Sequence, residues 1–130
     1  MNNLIVEKTS PVTPYVNFNA ETGICEIEGQ SYIANTYAFY EPLYAWLEEF
    51  VTVAGGSHKD VDFNLKITYF NTSSSKCILE MLRILRKHKE KGGSLRINWY
   101  LSRQDEDLED EVQYFAVAAG LDIQLNWLDN

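Results

Sequence analysis

The segment Phe63-Asn64-Leu65-Lys66-Ile67-Thr68-Tyr69 alternates apolar and polar side chains, the period-2 pattern of a strand with one buried face. Directly downstream, Cys77, Ile78, Met81, Leu82, Leu85 and His88 recur at helical spacing and predict a helix running to about Glu90. Between them lies Asn71-Thr72-Ser73-Ser74-Ser75-Lys76, a run of short polar side chains where a strand hands over to a helix.

The same reading extends along the chain. Leu4-Ile5-Val6 is an apolar run compatible with an edge strand, closed by the Pro11 and Pro14 region. Tyr15–Asn19 and Ile24–Gly29, separated by the turn Glu21-Thr22-Gly23, predict a β-hairpin. A helix is expected from about Tyr37 to Val53 after a cap at Asn35 or Thr36, with Pro42 in its first turns. Its apolar face carries Tyr40, Leu43, Tyr44, Leu47 and Val51, with Phe39, Trp46 and Phe50 beside it. Ala54-Gly55-Gly56-Ser57-His58 has the chemistry of a terminating turn. Leu95–Leu101 alternates into another strand after Gly92-Gly93. A third helix follows through Val112, Phe115, Ala116 and Ala119 to Gly120, and Ile123–Leu128 closes the chain as a strand. The order β-β-β-α-β-α-β-α-β predicts an α/β domain over residues 1–130, with a mixed sheet, an N-terminal hairpin and helices largely on one face.

The hydroxyl run has two readings. Asn, Thr or Ser at that junction caps the free N–H groups of a helix. The same N–H groups and the helix dipole favour an anion, so a phosphoryl group on one hydroxyl would be locally stabilised while changing the surface charge. The aromatic face of the first helix reads as core or as partner surface, with Tyr40 and Trp46 the candidate partner contacts. Six of the 11 Lys and Arg residues lie on or beside the second helix, where they complement its C-terminal dipole or dock an acidic partner; Lys76 is the candidate contact there.

Composition narrows the function classes. With 130 residues, 45% hydrophobic, the chain has enough apolar material for a core without disulfides or metal. A formal net charge of -8 argues against nucleic acid or anionic membrane as the principal partner. Cys25 and Cys77 show no metal-like spacing, and no signal-peptide pattern or membrane-length apolar stretch is present, so a reducing cytoplasm is the simplest compartment. Asp105, Glu106, Asp107, Glu109, Asp110 and Glu111 open the third helix, but they lack the alternating ligands and central glycine of an EF-hand, and no metal is expected. Neither a nucleotide-binding glycine loop nor a GxSxG or HExxH motif occurs, so catalysis by the serines with His58 or His88 is the weaker reading, and no cofactor is expected.

Gly29-Gln30-Ser31-Tyr32 with Asn35, Phe39-Tyr40-Glu41-Pro42, Trp46-Leu47, Tyr69 to Lys76, Trp99-Tyr100 and Asp105-Glu106-Asp107 together resemble the SiaC family of bacterial regulatory phosphoproteins, from about Leu4 to Leu128. Where many relatives carry Pro-Glu before the asparagine, this chain has Ile33-Ala34. The resemblance implies a fold like the STAS domains of anti-sigma factor antagonists and a non-catalytic, partner-switching role. It implies phosphorylation of Thr72 by a kinase of the histidine-kinase-like ATPase type, with Asn71, Ser73, Ser74 and Ser75 completing the switch segment. A PPM-type phosphatase would remove the phosphate. The unphosphorylated form would activate an effector, a diguanylate cyclase in cyclic di-GMP and biofilm signalling. A homo-oligomeric interaction domain without a phospho-switch, dimerising through the aromatic helix, is the alternative.

Overall fold

In a computed structural model the chain forms six strands and three helices, and the structure describes residues 1–53 and 60–128. The elements are β1 (Leu4–Val6), β2 (Tyr15–Phe18), β3 (Ile24–Ser31), α1 (Thr36–Val53), β4 (Val61–Phe70), α2 (Thr72–Glu90), β5 (Leu95–Ser102), α3 (Glu106–Ala119) and β6 (Gln124–Leu128). The turn expected at Ala54–His58, and His58 with it, lies outside the described residues. No described helix is long and apolar enough to cross a membrane.

Strands adjacent in sequence are adjacent in space, giving one sheet in the order β1-β2-β3-β4-β5-β6. The first two pairings are antiparallel, which makes β2 and β3 the expected hairpin. The other three are parallel, and each is connected through a helix. When strand order advances in one direction, crossovers of the usual right hand place every helix on the same face. The side chains agree. Val16, Phe18, Cys25, Ile27, Phe63, Leu65, Ile97 and Trp99 are buried beneath the helices with Leu43, Leu47, Ile78, Met81, Leu82, Val112 and Phe115. The opposite face is polar: Lys66 pairs with Glu26 at 3.0 Å, and Asn98 donates to Asp62 at 2.9 Å and Asn64 at 3.1 Å. That partnering holds the Lys66 ammonium pKa up, through its bond to Glu26.

The aromatic face of α1 is core. Tyr40 is fully buried, and Trp46 stacks on Phe50 at 5.0 Å and packs against Phe18 at 5.2 Å. The expectation that Tyr40 and Trp46 contact a partner is therefore corrected: covering the hydrophobic face of the sheet uses their surfaces. A homodimer through this helix face loses its basis for the same reason. The Cys25 thiol is pushed up to about 12, chiefly by burial.

One irregularity shapes the region around the hydroxyl run. Gly29 pairs with Ile67 but Gln30 pairs with Tyr69, so Thr68 is an extra residue, a β-bulge in β4. Strict alternation would place Tyr69 on the buried face with Phe63, Leu65 and Ile67. Beyond the bulge the faces exchange: Tyr69 is 51% exposed and stacks on Tyr32, while Phe70 packs against Trp99 and Phe115 at 6.0 and 5.6 Å. Opposite the bulge, Gly29 has φ 117°, a conformation that L side chains rarely adopt.

Candidate functional site

The parallel strands β3, β4 and β5 end at one rim of the sheet, and each is followed there by the N-terminus of a helix. β4 and β5 are paired only as far as Leu65 and Trp99. The Trp99 indole N–H reaches across to the Ile67 carbonyl at 3.3 Å. Beyond the end of that pairing lies a cleft of about 260 Å³ lined by Thr68, Tyr69, Phe70, Asp105, Asp107, Leu108 and Glu111. The hydroxyl run begins at the next residue but one.

The run belongs to the helix itself, with Thr72 as the first residue of α2. Asn71 is the cap: its side-chain oxygen accepts the Ser74 N–H at 2.9 Å, and its carbonyl accepts the Ser75 N–H at 2.9 Å. Because the asparagine does the capping, the hydroxyls are left for other roles. Thr72 and Ser73 are exposed, Ser74 is fully buried and Ser75 is half-buried. Thr72 and Ser73 therefore stand in solvent on the first turn, where helix geometry leaves N–H groups unbonded and no acidic side chain occupies the positive end of the dipole.

Ser74 points inward. Its hydroxyl donates to the Ser31 carbonyl at 2.8 Å, and the Ser31 hydroxyl donates to Ser74 Oγ at 2.7 Å. Ser31 Oγ lies 2.8 Å from the Tyr40 hydroxyl, and with its own proton committed to Ser74 it must accept there. The result is a buried chain, Tyr40 to Ser31 to Ser74 to the Ser31 carbonyl, joining α1, β3 and α2. The Asn71 N–H also donates to the Ser31 carbonyl, at 3.1 Å. Burial raises the Tyr40 phenol well above its ordinary value, so the donor in this chain stays protonated. Ser74 is thus unavailable for modification in the folded state, and the exposed hydroxyls of the switch segment are those of Thr72 and Ser73. Tyr40 acts beneath the site, not at its surface.

Among the remaining expected residues, Lys76 is exposed on the same first turns of α2. His88 is fully buried near the far end of α2. Fourteen residues of helix separate it from Ser74, about 21 Å, so it cannot serve these serines as a base. The acidic residues Glu106, Asp107 and Glu109 occupy the first turn of α3, and no group of three or more His, Cys, Asp or Glu among the described residues is arranged to hold a metal ion. The pattern along the sequence did not reveal Tyr32 and Tyr69 as an exposed pair: the bulge that turns Tyr69 outward has no periodic signature, although Gly29 marks its place.

The comparisons agree with this architecture. The crystal structure of apo-SiaC from Pseudomonas aeruginosa matches with a TM-score of 0.87 at 21% identity, covering 97% of this chain and 99% of that one. The crystal structure of the diguanylate cyclase SiaD in complex with its activator SiaC, also from Pseudomonas aeruginosa, gives a match with a TM-score of 0.87 at 21% identity, covering 96% of this chain and 99% of that one. An uncharacterised protein of Pseudomonas aeruginosa (strain UCBPP-PA14) is 24% identical over 103 residues, 79% of each chain. The structural likenesses carry the fold, and a family model described as SiaC family regulatory phosphoprotein matches residues 6–128. The chain belongs to the SiaC family of regulatory phosphoproteins.

Proposed function

We propose that this protein is a non-catalytic partner switch controlled by phosphorylation of Thr72. With the Thr72 hydroxyl free, it binds and activates an effector, by likeness to the SiaC bound to SiaD a diguanylate cyclase. A partner kinase of the histidine-kinase-like ATPase type modifies Thr72 and a PPM-type phosphatase restores it. The observation that carries this reading is the sorting of the hydroxyls: Thr72 is exposed at the first position of α2, while Asn71 caps the helix and Ser74 is sealed beneath it.

The chemistry supports the direction of the switch. A phosphothreonine adds about -1.5 to -2 charge at neutral pH. At the N-terminus of α2 that charge is favourable to the fold, so modification leaves the domain intact. Covering the same dianion with an apolar partner surface is costly, so the complex dissociates. Peptide mass spectrometry on protein purified from its host, with and without phosphatase treatment, tests the site. Pull-downs of a diguanylate cyclase with Thr72→Ala and Thr72→Glu test the consequence. One phosphoryl group at Thr72 and binding by Thr72→Ala alone are expected. Unmodified Thr72 under all growth conditions, or a folded Thr72→Ala protein that binds no cyclase, would overturn the reading, and effector-free self-association indifferent to Thr72 would favour the homo-oligomeric alternative.

A further inference from the structure

We infer that the stacked pair Tyr32 and Tyr69 is the contact surface for the effector, and that the effector meets it with an apolar, uncharged surface. This rests on the proposed function and deepens it. The rings lie 5.9 Å apart at 29°, and the two side chains are 54% and 51% exposed. Half-exposed stacked tyrosines at a rim offer large, rigid contact area, the character of residues that dominate protein interfaces. Tyr69 points outward because of the Thr68 bulge in the β4 ladder, a device that re-aims side chains at functional sites, and Tyr32 follows the buried Ser31 at the end of β3.

The pair and the switch residue are mechanically one unit. Tyr69 is two residues before the cap Asn71, and Tyr32 directly follows Ser31, whose carbonyl accepts both the Asn71 N–H and the Ser74 hydroxyl. A partner that senses the state of Thr72 touches this rim. Charge then selects the partner's chemistry. A basic surface would gain from a phosphate at Thr72, giving a switch of the opposite sign. An acidic surface would face Asp105, Asp107 and Glu111 across the cleft that Tyr69 lines, before any modification occurs. A second copy in a two-fold contact would bring those carboxylates and its own Thr72 against their equivalents. An apolar effector surface is compatible with the unmodified rim and incompatible with the dianion.

The test is isothermal titration calorimetry of dephosphorylated full-length protein with the host diguanylate cyclase that wild type binds. Tyr32→Ala and Tyr69→Ala are each expected to weaken binding at least about tenfold. Tyr114→Ala, more exposed at 62% but on the outer face of α3, is expected to stay within about twofold. Tyr32→Phe and Tyr69→Phe, which keep the rings, should retain binding, and affinity should change little with salt. Wild-type binding that both alanine variants share would overturn this inference and leave the switch standing. Steep loss of affinity with salt would also overturn it, by assigning a charged partner surface. A dimer seen in sedimentation and abolished by Tyr69→Ala would assign the rings to a second copy instead. Failure of every host diguanylate cyclase to bind unmodified wild type would overturn the proposed function and this inference together.

Discussion

Replacing Ser74 by alanine tests whether the hydroxyls of α2 are divided between structure and signalling. The substitution removes one atom that accepts from the Ser31 hydroxyl at 2.7 Å and donates to the Ser31 carbonyl at 2.8 Å. Both groups sit where no water reaches, since Ser31 and Ser74 are fully buried. The carbonyl keeps the Asn71 N–H, but the Ser31 hydroxyl loses its acceptor. Leaving one buried donor unsatisfied costs about 1–3 kcal/mol. For a chain of 130 residues the unfolding entropy is roughly 0.27 kcal/mol/K, so a cost of about 2 kcal/mol lowers Tm by about 7 °C. Thr72→Ala, two positions earlier and exposed, should stay within about 0.5 kcal/mol, or about 2 °C. Differential scanning calorimetry and urea unfolding measure both. If Ser74→Ala melted within 1 °C of wild type, or Thr72→Ala lost more than Ser74→Ala, the buried hydrogen-bond chain would not have the role assigned to it.

Thr72→Glu puts a carboxylate at the positive end of α2, where the first turn has no acid, and should raise stability by about 0.3–1 kcal/mol at low salt while abolishing effector binding. A lower Tm in dilute buffer would contradict this. Stability should fall in alkali, because the raised folded pKa values of Cys25, Tyr40 and Tyr44, each chiefly from burial, hold these groups protonated in the native state at pH values where the unfolded chain ionises them. For Cys25 that contribution is complete below the ordinary thiol value of 9.0 and is lost as pH rises from there to about 12, which urea midpoints across that range would follow. For Gly23→Ala, with φ 76° and a Cβ that would collide with the Asp60 carbonyl, a loss of about 3 kcal/mol or more is expected in the same assay.

Much of the fold is written locally. Period-2 alternation in β4, helical spacing from Cys77 to His88, and turn residues between elements determine the element order. Adjacency and right-handed connection then lead to a sheet with its helices on one side. The strand-to-helix junction at Asn71–Ser75 and the acidic opening of α3 were equally legible, because caps and dipoles act within one turn. The aromatic face of α1 was legible only as apolar, since periodicity states which side is hydrophobic but not what covers it. The sheet covers it, which takes Tyr40 and Trp46 from any partner.

The division of labour among neighbouring hydroxyls was decided by tertiary structure alone. Ser74 is buried and Thr72 exposed because Ser31, 43 residues earlier than Ser74, lies beneath the first turn of α2. Tyr69 faces outward because the register between β3 and β4 slips at Thr68, a property of the pair of strands and not of either sequence. The chain by itself determined that a helix begins at these hydroxyls; which of them meets solvent, and beside which rings, was decided by contacts between residues far apart in sequence.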